Sequence, residues 1–143
     1  MAVLEKENFL TVDGNSAWCA LADFGNFLSW ATGGIGSVRI EGEGVGMVRH
    51  LDIPGIGKMA ERMDRCDMQS QSLGYTLVYG NPAGMEVYSA TVQVVHAGEG
   101  KCSLKWHGEF QPTEGQSEQE VVTALGDSYD AMAQGLETYL KQS

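Results

Sequence analysis

Two hydrophobic rhythms divide this chain, and their order constrains its fold more than any other feature. From Ile35 to Phe110 the apolar residues alternate with period two and are punctuated by glycine. From about residue 117 to 141 they follow helical spacing instead. Val121, Val122, Leu125, Tyr129, Met132, Leu136 and Leu140 form one stripe, while Glu118, Asp127, Asp130 and Glu137 fall mostly off it. Ser117 followed by Glu120 has the S-x-x-E form of a capping box, so the helix start is marked. At 1.5 Å per residue such a helix is on the order of 35 Å long. A one-sided element of that length needs an equally long apolar surface, and the sheet preceding it is the surface available. The helix is expected to lie across the concave face.

Within the period-two region, strands are predicted over 36–41, 47–53, 58–66, 70–80, 85–96 and 101–110. The breaks contain Gly44 and Gly46, Pro54 and Gly55, Asn81-Pro82-Ala83-Gly84, and Gly98-Glu99-Gly100. Such short connections favour consecutive antiparallel strands, a meander. In the last strand Cys102, Leu104, Trp106, Gly108 and Phe110 share one face, the inner one, and Lys101, Ser103, Lys105, His107 and Glu109 share the other. Residues 2–12 read as a further strand. Turn chemistry at Asp13-Gly14-Asn15-Ser16 follows, with Asn15 or Ser16 as a helix cap, then short helices over 17–22 and 24–30. No repeat, linker or low-complexity segment interrupts the chain, so one domain over residues 1–143 is expected.

Charge narrows the possible partners. Nine Lys and Arg against nineteen Asp and Glu give a net charge of −10, with no basic stripe anywhere. Phosphate backbones and anionic membrane surfaces are bound through clustered cations, so no nucleic acid partner is expected. The start lacks the basic-then-apolar order of a signal peptide, and no apolar run has the length to span a bilayer. Cys19, Cys66 and Cys102 are odd in number, scattered and without C-x-x-C spacing, which fits a reducing cytoplasm. His50, His96 and His107 are equally scattered, so neither a metal nor a cofactor is expected. The glycine clusters lack the lysine and Ser/Thr of a P-loop and serve turns.

Local sequences add a family resemblance. Ala17-Trp18 with Asp23-Phe24 and Trp30, Gly44-x-Gly46-x-x-Arg49, Glu61-Arg62-Met63 with Asp67, and Trp106 with Phe110 and Pro112 occur in an order that resembles the START-like superfamily. Within it the chain looks most like the polyketide cyclase/dehydrase branch, and more distantly like the plant abscisic-acid receptors and the birch-pollen-allergen (Bet v 1-like) family. The resemblance implies an α+β helix-grip fold: a curved antiparallel sheet of about seven strands around a long C-terminal helix, with two short helices after the first strand. It also implies a pocket for a hydrophobic or amphipathic small molecule, such as a lipid or polyketide-like compound. It leaves the reaction open, because one fold hosts many functions.

The candidate ligand-binding residues follow from strand phase. Met47, Arg49, Leu51 and Ile53 share a face, as do Met59, Glu61 and Met63, then Leu73, Tyr75, Leu77 and Tyr79, then Tyr88, Ala90, Val92 and Val94. If these faces are inward, Arg49 and Glu61 are charges among apolar neighbours and must pair with each other or with a ligand. The alternative is a structural ion pair at a sheet edge. Tyr75, Tyr79 and Tyr88 offer hydroxyls to the same polar end, and Trp106, Tyr129 and Met132 complete the set, although aromatic residues of this kind also serve as plain core. Glu61 is the one candidate general base, a role that pairing with Arg49 opposes. The apolar segment Leu51–Gly57 is either a connecting turn or a loop over the pocket mouth. Three functions remain open: a binding protein, monomeric or homodimeric; a cyclase, aromatase or dehydratase using Glu61 and a tyrosine; and a protein-interaction module.

Overall fold

The architecture comes from a computed structural model, which describes residues 1–142. The elements in chain order are β1 (Ala2–Leu10), α1 (Gly14–Ala22), a 3-10 turn (Phe24–Asn26), α2 (Phe27–Ala31), β2 (Ser37–Glu41), β3 (Val48–Ile53), β4 (Gly57–Asp67), β5 (Ser72–Tyr79), a second 3-10 turn (Pro82–Gly84), β6 (Met85–His96), β7 (Cys102–Pro112) and α3 (Glu118–Lys141). Among the described residues seven strands form one sheet in the order β1-β7-β6-β5-β4-β3-β2, with every neighbour antiparallel. Strands β2 to β7 are the expected meander. Strand β1 joins the free edge of β7, with Ala2 opposite Phe110 and Leu10 opposite Cys102. The α1–α2 connection carries the chain from that edge to the opposite one.

The sheet curves where its ladder is irregular. Ala60 faces Tyr79 but Glu61 faces Leu77, so Val78 is an extra residue on β5; Met63 faces Tyr75 but Arg65 faces Gly74, so Asp64 is extra on β4. Each bulge bends the strand and increases its twist. The concave face buries Tyr88, Ala90, Val92 and Val94 from β6 and Cys102, Leu104, Trp106 and Phe110 from β7. Against it lie Val121, Leu125, Tyr129, Ala133 and Leu136 of α3 and Trp18, Leu21, Phe24 and Trp30 of the helix pair.

Helix α3 begins with the expected capping box: Ser117 accepts from the Glu120 N–H at 3.0 Å, and Glu120 accepts from the Ser117 N–H at 3.1 Å. The α1 cap differs from expectation. Asp13, not Asn15 or Ser16, accepts from the Ser16 N–H at 3.2 Å, and the helix starts at Gly14. A carboxylate one position ahead of the turn reaches the free N–H groups and draws Asn15 and Ser16 into the helix. Gly135 lets α3 approach α2 closely: a Cβ there would lie 2.4 Å from the Trp30 carbonyl oxygen. Polar contacts tie α3 to β1 and the residue after it. Lys6 pairs with Asp130 at 2.9 Å, Asn8 donates to Asp130 at 2.8 Å, and the Thr11 N–H and hydroxyl donate to Glu137 at 2.6 and 2.8 Å.

Candidate functional site: a cavity between sheet and helix

Sheet and α3 do not meet along their whole length. Toward the β3–β4 end they enclose a cavity of about 370 Å³. Its sheet wall carries Arg49, Leu51 and Ile53 of β3, Met59 and Glu61 of β4, Tyr75 of β5, and Met85 and Tyr88 of β6. Phe27, Ala31 and Thr32 close one side. Helix α3 contributes Ala124, Leu125, Ser128, Ala131 and Met132. Among these, Ala124, Ser128 and Ala131 recur on one helical face, and their small size leaves the space open.

One end of the cavity is charged. Arg49 and Glu61 are direct cross-strand partners, 4% and 7% exposed, so the antiparallel register itself brings them together. Arg49 donates from Nε to Glu61 Oε1 at 2.9 Å, and its second terminal nitrogen lies 2.8 Å from the same oxygen in an ion pair. Its remaining terminal nitrogen donates to the Phe24 carbonyl at 3.2 Å. The guanidinium lies over the Phe24 and Phe27 rings, 3.8 and 4.2 Å from their centroids, and 5.5 Å from the Tyr75 centroid. Glu61 Oε2 accepts no hydrogen bond from the described residues.

Beside the ion pair runs a chain of buried phenols. Tyr75 Oη lies 3.2 Å from Tyr88 Oη, which lies 2.7 Å from Tyr129 Oη. Burial pushes the Tyr75 and Tyr88 phenols well above the usual tyrosine range, and it also raises Tyr129. All three hydroxyls therefore stay protonated near neutral pH and offer O–H donors. Tyr129 reaches this position because the facing residue is Gly108, where a Cβ would lie 2.5 Å from its hydroxyl.

Of the predicted residues, Arg49, Leu51, Glu61, Tyr75, Tyr88 and Met132 line one cavity. Three other predicted residues do not. Tyr79 is 46% exposed on the convex face, where its hydroxyl meets His50 Nδ1 at 2.9 Å. The bulge at Val78 shifts the strand by one residue and turns Tyr79 away from Tyr75. Trp106 and Tyr129 are core behind the cavity wall, stacked with centroids 4.4 Å apart and planes 10° apart. The Trp106 indole N–H donates to Asn8 at 2.9 Å. The Leu51–Gly57 segment is a hairpin turn in which the Ile56 N–H donates to the Ile53 carbonyl at 3.0 Å, and both isoleucines line the cavity. Ile56 is 60% exposed there, at the mouth.

Sequence patterning alone missed Ala124, Ser128 and Ala131, because an apolar stripe is scored by its large residues. The usable signal was a run of small side chains beside that stripe. The free cysteines lie outside the cavity lining, and among the described residues no group of three or more His, Cys, Asp or Glu side chains is placed to hold a metal ion.

Comparison with known proteins gives this arrangement a family. Residues 1–141 match the sequence pattern of the polyketide cyclase / dehydrase and lipid transport family. The chain belongs to that family. Among solved structures, the fold of this polyketide cyclase / dehydrase and lipid transport family member is similar to the XoxI protein of Bacillus cereus, with a TM-score of 0.83 at 22% identity, covering 99% of this chain and 96% of the other. It is similar to Ara h 8.0201, with a TM-score of 0.81 at 19% identity over 99% of both chains. It is also similar to norcoclaurine synthase from Thalictrum flavum, solved with dopamine and hydroxybenzaldehyde, with a TM-score of 0.74 at 18% identity over 99% of this chain and 87% of that one. These likenesses establish the helix-grip fold. No curated protein matches the chain. Among the described residues no helix is long and apolar enough to cross a membrane.

Proposed function

We propose that this protein binds a hydrophobic or amphipathic small molecule in the cavity between the sheet and α3. The cavity itself carries this reading. A void of about 370 Å³ lined mostly by apolar side chains, with a few polar groups gathered at one end, has the size and composition of a small-molecule site. A domain that only docks other proteins has no need of such a void, whose unfilled walls forgo packing contacts. Membership of a family described by cyclase, dehydrase and lipid transport roles is consistent with the same use of the space.

The test is native mass spectrometry of the purified protein, with denaturing extraction of any adduct, repeated on Ala131→Trp. Ala131 is exposed at the lip of the cavity, so the indole is expected to fill the space without disturbing the core. A stoichiometric lipid or aromatic adduct on the parent protein, absent from a variant that melts at the temperature of the ligand-stripped parent, is the expected result. Equal adducts on both proteins would move the ligand elsewhere on the surface. A catalytic reading draws on the free acceptor oxygen of Glu61, Oε2, beside protonated phenols, an acid/base arrangement for a cyclisation or dehydration. It requires a rate that collapses in Glu61→Gln.

A further inference from the structure

The tyrosine chain has one more proton than the protein can use. Three hydroxyls in a row make two hydrogen bonds, so one O–H must donate outside the chain. Tyr129 is fully buried, and among the described residues its hydroxyl meets only that of Tyr88. An outward-pointing proton on Tyr129 would therefore be stranded, and a buried donor without an acceptor is costly. Tyr129 accordingly donates to Tyr88. The surplus O–H is then carried by Tyr75 or Tyr88, both of which line the cavity.

The ion pair presents the opposite lack. Arg49 Nε and its second terminal nitrogen both approach Glu61 Oε1, so Oε2 is an acceptor with no donor among the described residues. Arg49 in turn is held by Glu61, by the Phe24 carbonyl and by two aromatic faces, and its charge is balanced within the site. The Tyr75 ring lies 5.5 Å from the Arg49 guanidinium, and no hydrogen bond joins its hydroxyl to Glu61. The polar end of the cavity thus offers one donor and one acceptor, with no net charge for an anion.

We propose that this end is a subsite for a neutral hydroxyl, alcoholic or phenolic, which accepts from the tyrosine chain and donates to Glu61 Oε2. The assignment rests on the ligand-binding reading and narrows it. A carboxylate ligand would bring its charge against Glu61 and supply no donor. An ether or ketone would satisfy the phenol and leave the Glu61 oxygen empty. Only a group that both accepts and donates completes the set.

Two probe series test it by calorimetry. One is octanol, octyl methyl ether and octanoate; the other is naphthol, methoxynaphthalene, ethylnaphthalene and naphthoate. The expected result is that the alcohol or phenol binds about tenfold tighter than its methyl ether in at least one series, the cost of leaving one polar group unpaired. Methoxynaphthalene should in turn exceed ethylnaphthalene, which lacks the oxygen. The series showing the larger preference separates an aliphatic from a phenolic ligand. In Glu61→Gln, with the amide oxygen on Arg49 and the NH₂ facing the cavity, the alcohol-over-ether preference should vanish. Should that variant fail to fold, the series on the parent protein decides alone. Alcohol and ether binding equally would overturn the hydroxyl subsite and leave the binding reading intact. Tightest binding of the carboxylate would overturn it in favour of an anion on Arg49. Binding by no probe in either series would overturn both readings together.

Discussion

Arg49 and Glu61 each exist in the core only because the other does. An ion pair removed from water is costly to form and costlier to break, since truncating one partner leaves the other charge buried alone. Arg49→Met is therefore expected to lower stability by about 3–5 kcal/mol, and Arg49→Met with Glu61→Leu should recover most of that loss. Urea denaturation of the two variants measures it; equal losses would mean that the pair contributes favourably beyond mutual compensation. This pairing was legible in the sequence, because period two put one Arg and one Glu among apolar residues on adjacent strands. Tyr79 was not legible in the same way. A bulge follows from local strand geometry that alternation does not encode, and one extra residue at Val78 sent its hydroxyl to His50 on the other face. Trp106 and Tyr129 were read onto the correct face, but a face does not distinguish side chains that border a void from those that fill it.

At the scale of elements, the fold depends on how α3 is held, and β1 does much of the holding. Asp130 is kept below the ordinary carboxyl value of 3.8 by hydrogen bonds from Asn8 and Lys6. Glu137 is kept below 4.5 by the Thr11 N–H and hydroxyl, against a smaller opposing effect of burial. Both folded values are depressed, so the unfolded chain takes up protons first. The stabilisation is complete above about pH 4.5 and is lost as pH falls through the lowered values. Asp130→Asn with Glu137→Gln should flatten the acid limb of the urea midpoint against pH; an unchanged limb would assign acid sensitivity to other carboxyls. On the opposite side of α3, Gly135→Ala sets a methyl against the Trp30 carbonyl and should cost more than the usual gain of alanine in a helix. A drop in melting temperature checks this. The long helix, its capping box and the meander were readable because each has a local signature. Helix α1 starts at Gly14 rather than at the expected Ala17, because Asp13, Asn15 and Ser16 are all competent caps and only three-dimensional geometry chooses among them.

The whole molecule combines a tightly packed half, where α3 meets β6 and β7, with a hollow half toward β3 and β4. A ligand that fills the hollow and is absent from the unfolded chain must stabilise the fold by mass action. At a free concentration one hundred times its Kd the gain is about 2.7 kcal/mol, enough to raise Tm by several degrees. Scanning calorimetry against ligand concentration would show a continuing rise for a cavity ligand, and no rise for one that binds only unfolded chains or not at all. The sheet has a second consequence, which concerns time. Ala2 pairs with Phe110, so during synthesis the first strand leaves the ribosome about a hundred residues before its partner is made. Strands β2 to β7 can pair with their neighbours as they emerge. Among the seven strands β1 is thus the last to be paired, and until β7 arrives its unpaired backbone edge is open to wrong partners.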